Sequence, residues 1–396
     1  MRQGPALPRL LEYARRRLGL SRYLDAPGDG RTFPQIPASE LLWALLASKI
    51  LREPALSVVE WLAREAGTQL GVRVRFGDDA LAYFLERLSP AAAREGLRTV
   101  LRRAKRNKAF ARSVWIGLAV DGTGAGHGRR WGCAACHPQL NEQHQVLGHI
   151  HKCVAISVVG TEAVLPFDIE PYGPEESELT AAKRLVPRAV QGLGRGFADY
   201  LVADGEYAGG PFLELVQHLG LPVVVRLKQN LPDLCANVRR TFQGRPATTV
   251  FAHDGDLIEL WDGDIEATET LPWPSVRVLR YRQHRRKGDV IEAEWLTTLP
   301  RRRVGARALF HLCKTRWQIE NQTFNDAKSR YGLEHIPHHE RNSLLLHALL
   351  TCLALCIERL YRLRHLRRGR HVPPSAIELL RGLRLSIGAC VPFNTG

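Results

Sequence analysis

The chain has 396 residues, 45% of them hydrophobic, and carries 56 Lys and Arg against 40 Asp and Glu, a formal net charge of +16. That size allows two or three domains around a sizeable core, and the basic excess points either to an anionic partner, nucleic acid first, or to a solvated surface in a basic proteome. The N-terminus holds no run apolar enough for a signal peptide, and the longest apolar run, LLLHALLTCLALCI, is too short to cross a bilayer. A secreted or membrane protein is thereby disfavoured, and a cytoplasmic, nucleoid-associated chain is expected. Its eight cysteines are then thiols or metal ligands rather than a disulfide framework.

Residues 1–112 read as helical and as the expected DNA-binding region. ASELLWALLASKIL has Ser39 as an N-cap and a helical apolar pattern behind it. DDALAYFLERL and PAAAREGLRTVLRRAKRNKAFAR predict two more helices, the second strongly basic. The texture changes at Trp115. WIGLAVDGT, HKCVAISVV, DYLVADGEY and LPVVVRLKQN are short apolar runs, separated by helical stretches such as ESELTAAKRLVPRAV and GPFLELVQHLG. Strands alternating with helices predict an α/β core over 113–230, with a sheet covered on both faces. Over 231–300 the helical signal fades and hairpin patterns take its place, so this span reads as a β-rich insertion. A helix at about 304–329 resumes the core in 301–360, and a basic tail follows in 361–396. The sequence contains no internal repeat and no low-complexity segment.

Three acids stand out. Asp121 and Asp204 each close an apolar strand with Asp-Gly, and in open α/β sheets sites form beyond the strand ends. Glu320 lies in RWQIENQTFNDAK, where Phe310, Cys313, Trp317, Glu320, Phe324 and Ala327 recur at helical spacing and predict one apolar face. A carboxylate in such a stripe is costly unless paired, and three converging carboxylates make sense around divalent metal. Each acid also has a plainer reading. Asp-Gly after a strand is commonly a turn, and Glu320 one helical turn from Arg316 can form a structural ion pair.

With these motifs the sequence resembles the DDE transposases of bacterial insertion sequences. VDGT at 120–123 resembles that family's first-Asp motif, VADGEYAGGPF at 202–212 the second, and RWQIENQTFNDAKSRYGLEHIPHH the region of the last acid. The likeness runs from about 35 to 360, and the longer gap between Asp204 and Glu320 leaves room for the insertion. The resemblance implies an RNase H-like catalytic core with an N-terminal helical domain and an all-β insertion before the last catalytic helix. It implies catalytic and metal-binding roles for Asp121, Asp204 and Glu320, with Mg²⁺, or Mn²⁺ in its place, in two-metal phosphoryl transfer. Of the family pattern Tyr-x2-Arg-x3-Glu-x6-Lys, Arg316 and Glu320 fit, Cys313 stands at the tyrosine place, and Ala327 at the lysine place with Lys328 beside it. Arg316 and Lys328 are then the expected phosphate-binding cations. The implied partners are DNA, as the element's terminal repeats and as target, with a dimer at synapsis and no membrane. The alternatives are a metal-dependent nuclease that does not join ends, and a domesticated relative that binds DNA without cutting it.

A second cluster lies in CAACHPQLNEQHQVLGHIHKC, residues 133–153. Cys133 and Cys136 have the spacing of a zinc half-site, and His137, His144, His149, His151 and Cys153 offer further ligands. Structural Zn²⁺ and a plain pair of reduced thiols both fit this pattern. The Cys-x-x-Cys-His string also matches haem attachment, which the missing export signal argues against. Neither G-x-G-x-x-G nor G-x-x-x-x-G-K-[ST] is present, which disfavours a nucleotide-binding dehydrogenase or ATPase. Arginine-rich stretches at 98–112, 282–287 and 359–370 can track DNA phosphates or form solvated faces.

Overall fold

Six helices precede the first strand in the computed structural model, which describes residues 6–129, 133–228, 230–267, 270–366 and 375–388. They are α1 (Ala6–Glu12), α2 (Ser21–Leu24), α3 (Ala38–Leu51), α4 (Leu56–Leu70), α5 (Asp78–Arg87) and α6 (Ala91–Arg106). Helix α3 is buried from Leu41 to Leu51, because its neighbours enclose it on every side. Ser39 does not cap it: the helix begins at Ala38, with Pro37 before it and no side-chain cap.

The core then runs through β1 (Gly117–Gly128), β2 (Cys136–Leu140), β3 (Val146–Val159), β4 (Leu165–Tyr172), α7 (Glu178–Leu193), β5 (Tyr200–Ala203), α8 (Gly210–His218) and β6 (Val223–Arg226). Strand β3 pairs antiparallel with both β1 and β4, whereas β1, β5 and β6 are parallel. The spatial order β4-β3-β1-β5-β6, three antiparallel strands continued by two parallel ones, is that of an RNase H-like core. Strands β5 and β6 are short and buried, as the unbroken apolar runs predict for a sheet covered on both faces.

The segment from 231 opens with a helix, α9 (Pro232–Phe242), where fading helical signal was expected. Leu234, Cys235, Val238 and Phe242 form its buried stripe, a helical spacing masked by the polar residues between them. The hairpin strands follow: β7 (Thr249–His253), β8 (Asp256–Glu266), β9 (Ser275–His284) and β10 (Val290–Thr297). They are not a separate layer. Strand β10 pairs antiparallel with β6 and makes one sheet of the insertion and the core.

Helix α10 (Ala306–Lys314), a π-helical turn (Ile319–Phe324) and α11 (Asn325–Tyr331) occupy the stretch expected as one long helix. Helix α12 (Arg341–Leu366) packs against β4, α3, α5 and α6. Residues 341–364 are long and apolar enough to cross a membrane by length and composition, although the sequence run looked too short, and most of this surface is buried inside the protein. The expected tail contains a further helix, α13 (Ala376–Ser386), with Leu379 and Leu383 buried. Residues 367–374 and 389–396 of that tail lie outside the described residues.

Ion pairs join the N-terminal helices to the core. The buried Asp168 of β4 accepts from Arg94 of α6 at 3.1 Å and from Arg188 of α7 at 2.8 Å. Nearby, Arg98 pairs with Glu95, Arg102 donates to the Gly192 carbonyl, and Lys105 donates to the carbonyls of Gly196 and Phe197. Much of the basic stretch at 98–112 thus serves internal packing. The same holds for Arg359, paired with Asp326, whereas Arg282 and Arg285 pair with Glu292 and Asp289 on the exposed side of the hairpin.

Candidate active site

Asp121 does not end its strand. Strand β1 runs on to Gly128 as one arm of a hairpin with β3, and only its parallel partner β5 stops, at Ala203. Val120 pairs with Ala203, so Asp121 and Asp204 each directly follow a member of the last parallel pair, Asp121 within β1 and Asp204 just past the end of β5. The site opens where the parallel pairing is lost.

The third acid arrives from the far end of the chain. Three hydrogen bonds seat its helix on the sheet. Gly160 N–H donates to Gln318 Oε1 at 2.8 Å, the Tyr200 and Thr315 hydroxyls meet at 2.9 Å, and those of Ser157 and Thr323 at 3.0 Å. A break at Thr315–Arg316, just before the π-helical turn, shifts the helical face. Trp317, expected on the apolar stripe, is 39% exposed, and Arg316, expected beside it, is 2% exposed. Glu320 is half-buried at the crevice edge rather than within the core. Such π turns are rare and recur at functional sites, where they re-aim side chains.

Arg316 binds two of the acids. Its Nη1 lies 2.7 Å from Glu320 Oε1 and 3.4 Å from Asp121 Oδ2, with its plane 3.9 Å over the Trp317 ring. The anticipated Arg316–Glu320 ion pair therefore exists, but the same guanidinium also reaches Asp121. Burial pushes the Asp121 carboxyl up to about 7; Arg316 opposes this, while the Glu320 and Glu178 carboxyls add to it. At Asp204 burial also raises the pKa, but the Lys228 ammonium at 2.6 Å, the Gly205 backbone and Arg316 hold the carboxyl below its usual range. Asp204 Oδ1 is buried with no hydrogen-bond partner among the described residues.

A fourth acid was missed. Glu178, in the first turn of α7, lies against Gly122, where a Cβ would collide with its carboxylate. Tyr207 O–H donates to Glu178 Oε1 at 2.6 Å. Burial holds the Glu178 carboxyl above its usual range, partly offset by the Tyr207 hydrogen bond. A glutamate opening a helix ordinarily signals only a favourable dipole contact. The available signal was Gly122 beside Asp121, a residue without a side chain where another group comes close.

This donor set suits divalent cations. The carboxylate oxygens are hard ligands, the orphaned Asp204 Oδ1 lacks a partner, and the crowding of Asp121, Glu320 and Glu178 is relieved by added positive charge. Lys328 lies farther out and pairs with Glu334 at 3.7 Å.

The second cluster is separate. Cys133 and Cys136 are joined by His151 of β3 and by His339, from the segment before α12. His137 is directed elsewhere, with Nε2 3.0 Å from the Tyr172 carbonyl, and the Cys153 thiol donates to the Thr123 carbonyl. His144 and His149 are not in the group.

A family model described as a transposase DDE domain matches residues 116–357. No curated protein matches the chain. Among solved structures, the chain is similar to a piggyBac transposase synaptic complex with hairpin DNA, seen by cryo-EM. The two are 13% identical with a TM-score of 0.46, over 95% of this chain and 76% of that one.

Proposed function

The chain belongs to the DDE-domain transposase family, and from that membership we propose that it cuts DNA at the ends of its own element and joins them to a target by phosphoryl transfer. One observation supports this above the rest. A single buried guanidinium, Arg316, holds Asp121 and Glu320 together, and Asp204 directly follows Ala203, the register partner of Val120.

In this proposal Asp121, Asp204 and Glu320 hold Mg²⁺, or Mn²⁺ in its place. Such ions would supply Lewis-acid activation of the attacking oxygen and stabilisation of the leaving one. The protein's own groups do the rest. Asp204 is kept ionised by Lys228, ready to act as a ligand. Arg316 is pre-paired with two acids beside the crevice, and its planar fork suits phosphate oxygens. Lys328 adds a second cation beyond the acids. Tyr207 fixes the Glu178 carboxylate behind Gly122. The DNA backbone is bound by basic surface outside the crevice, including the helical region 1–112. Joining requires two ends held together, which calls for a dimer at synapsis.

A nuclease on the same core needs the same acids, so their mutation cannot separate the two activities. The final nucleophile can. A transposase must keep the liberated 3′-OH in place and aim it at a second DNA. Labelled element-end DNA, incubated with the protein and Mg²⁺, is expected to become covalently joined to an unlabelled plasmid, and a 3′-deoxy end should abolish joining. Efficient cutting of the true ends with no joined product would establish the nuclease instead.

A further inference from the structure

We propose that Cys133, Cys136, His151 and His339 form a tetrahedral Zn²⁺ site that staples the β1–β3 hairpin to the segment between α11 and α12. The assignment rests on the geometry of these four residues and is independent of the transposase activity.

The two cysteines meet through a tight turn, Cys136 N–H donating to the Cys133 carbonyl at 3.0 Å. Their sulfurs are 3.5 Å apart, and His151 Nε2 is 3.3 Å from each. His339 Nε2, more than two hundred residues along the chain, lies 3.8 Å from Cys136 Sγ. All four ligand atoms lie within 4.8 Å of one another. Ligands 2.0–2.3 Å from a central Zn²⁺ stand about 3.3–3.8 Å from each other in a tetrahedron. These four contacts match four of the six edges of such a figure, and the other two are no longer than 4.8 Å. Two sulfurs and two imidazoles also select zinc over Mg²⁺ or Ca²⁺, which prefer oxygen.

Chance proximity of reduced thiols explains the pair Cys133 and Cys136 but not the two histidines. His151 is nearly buried, and its Nδ1 has no hydrogen-bond partner among the described residues. Its polar contacts run through Nε2 to the sulfurs. The cluster borders a cavity of about 550 Å³ whose wall includes Cys133, His151 and His339, which gives an ion a way in.

The staple has a position that matters. His151 pairs directly across the ladder from Ala125, on the strand that carries Asp121. At the next residue, Gly126 has φ +66, and a Cβ there would collide with Ile336. The end of β1 thus packs on the segment that holds His339, which follows the helix of Glu320. An ion at the cluster ties these two parts of the site together.

The test uses the full-length protein and reads metal rather than DNA chemistry. Protein grown with added zinc and desalted should retain one zinc per chain by elemental analysis. After chelation, added Co²⁺ should produce the intense visible bands of a tetrahedral ion and a thiolate-to-cobalt charge-transfer band. Cys136→Ser should lose the zinc, whereas Glu320→Gln should keep it. His339→Ala should retain the charge-transfer band while its visible bands weaken, and should become more sensitive to proteolysis near residues 133–145. Absence of both zinc and the cobalt bands in the wild-type protein would overturn the site. Full zinc in Cys136→Ser, or an unchanged cobalt spectrum in His339→Ala, would overturn the ligand set.

Discussion

At the scale of single residues, the roles of the acids differ because their surroundings differ. Asp204 has an ammonium beside it, whereas Asp121 shares one guanidinium with Glu320 and has Glu178 behind it. Glu320→Gln is expected to abolish Mg²⁺-dependent cleavage while leaving DNA binding nearly intact, since affinity comes from basic surface. A gel-shift assay beside a cleavage assay checks this, and cleavage at the wild-type rate would remove Glu320 from the site. Glu178→Gln is a milder change. It removes negative charge one layer behind Asp121, so the Mg²⁺ concentration needed for half-maximal cleavage should rise, on the order of 10–100-fold, the range seen when groups behind metal ligands are altered. An unchanged Mg²⁺ titration would leave Glu178 a purely structural partner of Tyr207.

At the scale of elements, the helix of Glu320 depends on a few polar contacts rather than on its apolar stripe. Gln318 is the only side chain bonded to the Gly160 N–H in the described hydrogen bonds. Gln318→Ala should cost about 1–2 kcal/mol, seen as a lower denaturation midpoint, and should slow cleavage by loosening the π-helical turn. Unaltered stability would mean that water replaces the amide fully. Helices α3 and α12 meet through a different contact, Lys49 Nζ at 2.7 Å from His347 Nδ1, both buried. Burial pushes Lys49 down to about 7 from its ordinary 10.5. Between those values the unfolded chain binds a proton that the folded one does not, so this lysine makes stability rise with pH through that window and penalises the fold fully below it. Denaturation of wild type and Lys49→Met at pH 7, 8.5 and 10 should show the wild type gaining relative to the variant as pH rises. Parallel pH curves would show that Lys49 stays charged in the fold.

At the scale of the whole molecule, the net charge of +16 overstates the surface available to DNA. Arg94 and Arg188 tie helices to the sheet through Asp168, and Arg98, Arg102, Lys105 and Arg359 are engaged in contacts within and between helices and loops. DNA affinity should still fall with salt, each neutralised phosphate adding about −0.9 to the slope of log K against log salt on duplex DNA. The slope should stay well short of one contact per basic residue. A flat titration would mean that the positive charge is internal or merely solvated. The same internal pairing makes the N-terminal helices part of the core's support. Reversing Asp168 to Lys should therefore destabilise the whole protein rather than one end of it.

Much of this was legible in the chain itself. Apolar runs before Asp-Gly marked the parallel stretch of β1 and the whole of β5, because a buried parallel strand must be apolar throughout, although β1 itself continues past Asp121 to Gly128. The spacing of Arg316 and Glu320 marked a helical ion pair, and Cys133 with Cys136 marked half of the Cys/His cluster. Local periodicity, however, carries no information about which distant groups meet. Only the tertiary structure could bring Glu178 against Gly122, choose His151 and His339 over their neighbours, and bury Arg316 in place of Trp317. For Glu178 and the two histidines, the partners lie on elements far apart in the chain, and only the packing of those elements sets which side chains meet. For Arg316, a heptad-like stripe assumes a regular helix, and the break at Thr315–Arg316 followed by the π-helical turn at Ile319–Phe324 departs from it, held by hydrogen bonds to strands more than a hundred residues away.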